Sequence, residues 1–73
     1  MRLHEILKER GLSKLQLARK SEIAPSDLYH AMNGKKPFYP AWRKRIADYL
    51  QMDESKLFDA IEIKKDGGTN ANN

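Results

Sequence analysis

The stretch from Gly11 to Gly34, GLSKLQLARKSEIAPSDLYHAMNG, constrains this chain more than any other. It reads as two short helices joined by a tight turn, Ser21-Glu22-Ile23-Ala24, and the rest of the chain reads as scaffold that holds the pair. The second helix, Pro25 to Asn33, makes the case. At about 100° per residue, Leu28, Ala31 and Met32 fall on one side of its axis. Ser26, Tyr29, His30 and Asn33 fall on the other, with Asp27 on the flank. The apolar stripe is narrow and suits packing on neighbouring helices. The polar face carries neutral, short or dual-role hydrogen-bonding groups instead of the usual glutamate and lysine mixture. Hydroxyls, amides and imidazoles both donate and accept, which is the chemistry needed to read base edges in a major groove.

The flanking segments supply the remaining helices. Leu3, Ile6 and Leu7 repeat at helical spacing and predict a first helix over residues 2–10, with His4 on its surface. Gly11 suits the left-handed position that ends such a helix. Ser13 and Gln16 have the spacing of a capping box at the start of the second helix. Leu17 and Ala18 of that helix face inward, with Leu15 or Ser21 at the edge. A helix N-terminus with free N–H groups beside Lys14 is also a phosphate site in waiting. Ile23 plugs the angle between the two helices. Pro25 suits a first helical position, where its missing N–H is no loss. Ala24 before it is a poor cap. Asn33-Gly34 ends the helix, and Lys35 and Lys36 follow at once, within reach of phosphates.

Pro40 opens a further helix in which Trp42, Ile46, Tyr49 and Leu50 lie on one side and Arg43, Lys44, Arg45 and Asp48 mostly outside. Phe38 or Tyr39 packs down as a lid. Trp42 anchors the core, with base stacking as its sharper alternative. Asp53 caps a last short helix with Leu57, Phe58 and Ile61 as its apolar positions. Ile61-Glu62-Ile63 alternates, as a short strand or an arm. The tail, residues 64–73 (KKDGGTNANN), lacks apolar residues and is expected to be disordered. The expectation is one domain over residues 1–63.

Charge is distributed unevenly along the chain. Nine Lys and Arg lie between Arg10 and Arg45, opposed only by Glu22 and Asp27, whereas from Ile46 onward three lysines face six carboxylates. A basic block around the polar helix points to a polyanion as partner. The 73 residues include no cysteine, which excludes a disulfide framework and a cysteine-based zinc site. No apolar run approaches membrane-spanning length and the N-terminus is too charged for a signal peptide, so a soluble, cytoplasmic protein is expected. No Gly-rich phosphate loop follows a strand and no His/Asp/Glu cluster has ligand spacing, so neither an enzyme nor a cofactor or metal site is expected. Asp27 and His30, one turn apart, can pair but do not make a site.

Taken together, Gly11-Leu12-Ser13, Leu17-Ala18, Ile23, Ser26, Leu28, Asn33-Gly34, Ile46-Ala47, Leu50 and Leu57 resemble the lambda-repressor/Cro-type helix-turn-helix family, also called the Xre family. The resemblance covers roughly residues 2–60. It implies an all-α, compact five-helix bundle containing a helix-turn-helix, whose third helix enters the major groove, and dimers on partly palindromic operators. It maps base-reading positions to Pro25, Ser26, Asp27, Tyr29 and His30, and phosphate contacts to Ser13, Lys14, Asn33, Lys35 and Lys36. Asp27 can accept from a cytosine amino group, at a cost in affinity near phosphates. The chain departs from the family where Glu22 replaces the usual turn glycine, which predicts strain or rearrangement there. It departs again where Leu7 and Met32 stand in place of an Arg–Glu pair. It also lacks Arg, Gln or Asn early in the third helix, which weakens the expectation of bidentate reading of G or A.

These readings predict a sequence-specific regulator that binds double-stranded DNA, a homodimer joined through the last helix and Ile61–Ile63. The other class is a protein-interaction module or antitoxin-like accessory protein, whose partner contact would be insensitive to salt.

Overall fold

The computed structural model describes residues 1–59. Among them are five helices and no strand: α1 (Leu3–Arg10), α2 (Lys14–Lys20), α3 (Pro25–Met32), α4 (Pro40–Leu50) and α5 (Glu54–Leu57). The all-helical expectation is met, and the ends of α1, α2 and α3 fall within a residue of those read from sequence. The Ile61–Ile63 segment and the tail from residue 64 lie outside the described residues.

Four of the helices stop in the same way. After α1, the Leu12 N–H reaches the Leu7 carbonyl at 2.9 Å and the Gly11 N–H reaches that of Lys8 at 3.2 Å. These paired bonds satisfy carbonyls left over at a helix end and require the residue after the helix to turn left-handed. Gly11 does so at φ 67° and Gly34, after α3, at φ 81°. The same bond pairs close α2, through Glu22 and Ile23, and α4, through Gln51 and Met52. There the left-handed residues are not glycine: Glu22 and Gln51 each sit at φ 57°. The departure at Glu22 therefore leaves the turn geometry intact and stores strain in it, about 1 kcal/mol for a residue with a Cβ.

The starts of the helices are more varied. Ser13 forms the expected capping box: its hydroxyl accepts from Gln16 N–H at 3.0 Å, and Gln16 Oε1 accepts from Ser13 N–H at 2.9 Å. Ala24 offers α3 no side-chain cap, and Pro25 takes the first helical position. Asp53 precedes α5 as expected, but its carboxylate makes no cap hydrogen bond.

A single core joins all five helices. Leu3 and Leu7 of α1, Leu17 and Ala18 of α2, Leu28, Ala31 and Met32 of α3, and Ile46, Ala47 and Leu50 of α4 are buried together with Leu57 of α5. Ile23 is buried in the turn, as expected. Leu7 and Met32 both lie in this apolar cluster, so no charge pair is needed there. Ser21 is buried as well, and its hydroxyl has no hydrogen-bond partner among the described residues. Leu15 stays exposed. Phe38 forms the lid, with its ring 4.9 Å from that of Phe58, while Tyr39 remains outside against Trp42. Backbone bonds also join the ends of the fold, with Arg2 N–H donating to the Leu57 carbonyl at 3.1 Å.

Helix α4 corrects the sequence expectation. Its buried stripe is Arg43, Ile46, Ala47 and Leu50, and Tyr49 is exposed. Arg43, placed outside by the sequence reading, is only 6% exposed. Its Nη1 donates to the Phe38 carbonyl at 2.7 Å and its Nε donates to Glu54 Oε1 at 2.9 Å. A guanidinium presents a planar fork of donors and tolerates burial when those donors are met. Here it ties the α3–α4 loop, α4 and α5 to one another.

Candidate nucleic-acid interface

Helix α3 packs against α2 and buries Leu28, Ala31 and Met32 in the core. That leaves Pro25, Ser26, Tyr29 and His30 on its exposed side, with Asn33 exposed just beyond its end. The four candidate base-reading positions other than Asp27 are thus all exposed, and for Ser26, Tyr29 and His30 the 100° periodicity predicts it. Tyr29 is 38% exposed, an aromatic ring left half in solvent by a chain with few large apolar groups outside its core.

Asp27 is placed differently. It is half-buried on the flank of that face, and its Oδ1 lies 2.6 Å from Lys36 Nζ. The pairing with His30 that their spacing allowed is not made. The hydrogen bond to Asp27 holds Lys36 above the usual lysine pKa of 10.5, with the carboxylate charge adding to it and partial desolvation opposing it. The loop reaches Asp27 because it folds back on α3: the Lys35 and Lys36 N–H groups both donate to the His30 carbonyl, at 2.8 and 3.3 Å. Nothing in the sequence flags a pair nine residues apart across a helix end.

Among the phosphate-contact candidates, Ser13 and Lys14 are exposed at the start of α2, and Lys35 is exposed after α3. The Ser13 oxygen accepts the cap bond, which leaves its O–H hydrogen available to donate. The basic block divides into two groups. Arg10 donates to the Leu50 carbonyl at 2.8 Å, Arg45 to the Glu22 carbonyl at 3.2 Å, and Arg43 to that of Phe38. These three arginines serve the fold, and Lys36 serves Asp27. The side chains of Lys14, Arg19, Lys20, Lys35 and Lys44 make no hydrogen bond or ion pair with any described residue. Arg19, Lys20 and Lys44 were not singled out from sequence; their freedom is visible only once the other cations are seen to be engaged.

An open groove of about 640 Å³ lies elsewhere, lined by Ala47, Asp48, Gln51, Met52, Asp53 and Lys56 of the α4–α5 corner. Among the described residues, no group of three or more His, Cys, Asp or Glu is placed to hold a metal ion, and no helix is long and apolar enough to cross a membrane. Comparison with protein-family models, with curated proteins and with solved structures finds no match to this chain.

Proposed function

We propose that this chain is a sequence-specific DNA-binding regulator of the Cro/repressor kind, in which α2 and α3 act as a helix-turn-helix and α3 enters the major groove. The observation that carries the reading is the open face of α3. Pro25, Ser26, Tyr29 and His30 are exposed together on a helix whose opposite side is buried, in a chain with five cationic side chains of the basic block that the fold does not use. Lysines and the α2 N-terminus then fix the domain on phosphates while the α3 face meets base edges. A single small domain covers little DNA, so two copies acting together through the last helix and the Ile61–Ile63 segment complete the reading. A cytoplasmic location follows from a DNA partner.

A second reading, a protein-interaction module, is favoured by the exposed rings of Tyr29 and Tyr39 and by Leu15, all at least 37% exposed. Aromatic residues of this kind anchor protein interfaces. Salt separates the two. If the five free cations each neutralise a phosphate, log Kobs falls against log salt with a slope of about −4 to −5 per chain. The test is a titration of the purified protein against a random duplex pool at several salt concentrations, with labelled DNA. A slope steeper than about −2 with an enriched, partly palindromic sequence supports the regulator. Absence of binding at low salt refutes it and turns attention to a protein partner.

A further inference from the structure

We propose that Asp27 selects a cytosine in the DNA site, and that Lys36 is the positioning residue that makes this possible; the inference rests on the DNA-binding reading above. Three observations carry it. Asp27 lies in the first turn of α3, beside the exposed face that carries Ser26 and His30. Lys36 engages one carboxylate oxygen, Oδ1, at 2.6 Å, and Oδ2 makes no hydrogen bond with any described residue. The Asp27 side chain remains 34% exposed, so that oxygen is open to a partner.

The chemistry then discriminates between bases. Ser26, Tyr29 and His30 can donate or accept and so tolerate most base edges. An ionised carboxylate only accepts. In the major groove the cytosine amino group donates to it, whereas guanine O6 and N7 and thymine O4 are acceptors and repel it. Adenine offers a donor flanked by the N7 acceptor, a poorer match. A bare carboxylate beside phosphates would weaken all binding. The ammonium of Lys36 offsets that charge without occupying the second oxygen, and its hydrogen bond to Oδ1 orients the carboxylate. Lys36 thereby differs from Lys14 and Lys35: it acts through Asp27 and not on a phosphate.

The experiment selects a site for the wild-type full-length chain from random duplexes. It then measures affinities for every single-base-pair variant of that site, for the wild type and for D27N, K36Q and K36R. The expected site contains one cytosine per half-site whose replacement costs the wild type about tenfold. D27N, which brings a donor and an acceptor, loses that preference or moves it to adenine and leaves the other positions unchanged. K36Q loses the same preference while keeping the wild-type salt slope, and K36R restores it. Three results overturn the proposal while leaving DNA binding in place. One is a wild type that binds without base preference. Another is a D27N profile identical to the wild type. The third is a K36Q variant weakened equally on all duplexes with its salt slope reduced by about one, the mark of a phosphate contact. A wild type that binds no duplex overturns both this inference and the reading beneath it.

Discussion

Replacing Arg43 with methionine is expected to destabilise the domain by about 2–4 kcal/mol. Methionine keeps most of the apolar stem that packs in the α4 stripe, so the change removes mainly the guanidinium. The Phe38 carbonyl, which accepts from Nη1 at 2.7 Å, then loses its donor in a buried place. An unsatisfied buried acceptor costs roughly 1–3 kcal/mol. Glu54 behaves differently, because its side chain is 37% exposed and water can take over from Nε. Its share is about 0.5–1 kcal/mol, that of an ion pair screened by solvent. Against the roughly 3–9 kcal/mol expected of a domain with 59 described residues, the loss is large. Urea denaturation followed by far-UV circular dichroism measures it, and with m about 1 kcal/mol/M the midpoint falls by about 2 M or more. E54Q provides the comparison. Its amide oxygen still accepts from Nε, so a loss below about 1 kcal/mol is expected. A midpoint shift under about 0.5 M for R43M, or an E54Q cost equal to that of R43M, refutes the assignment of the energy to the buried carbonyl.

Three further changes probe the local structure. S13A removes the hydroxyl half of the capping box, the bond accepted from the Gln16 N–H, and is expected to cost about 1 kcal/mol in the same urea assay, with no change in m; an unchanged midpoint would contradict it. E22G relieves the φ of 57° but loosens the unfolded chain, leaving a net gain of about 0.5 kcal/mol, whereas a loss in thermal or urea stability would mean that Glu22 is not strained. Lys36 holds its proton more tightly in the folded chain than in the unfolded one. Its contribution is therefore complete below the ordinary pKa of 10.5 and is lost as pH rises through the higher folded-state value. The wild-type urea midpoint is expected to fall faster than that of K36M above that pH, and parallel curves would sink the argument.

Much of the candidate interface was legible because it depends on one helix. The periodicity of Pro25–Met32 alone assigns Leu28, Ala31 and Met32 to the inside and Ser26, Tyr29 and His30 to the outside. Ser13 and Gln16 announced a capping box because its chemistry is local, three residues apart. Helix α4 was misjudged for the opposite reason. Trp42 and Tyr49 are apolar by composition and drew the expected face toward themselves, rotating it by about 60° from the stripe that is buried. Aromatic side chains with a polar edge sit well at a boundary, and an arginine with its donors met can take the interior place. The exposure of Tyr49 and the burial of Arg43 follow.

By itself, the sequence determined where α1, α2 and α3 form and which residues of α3 share a face, because those follow from spacing, capping and the left-handed preference of glycine. Tertiary structure decided what each charge does. Arg10, Arg43 and Arg45 became donors to backbone carbonyls of distant segments, and Lys36 was drawn onto Asp27, so the basic block in the sequence is reduced to five free cations. A long cationic side chain reaches several ångströms in any direction. Which acceptor it meets depends on how helices pack and loops return, and no local periodicity encodes that.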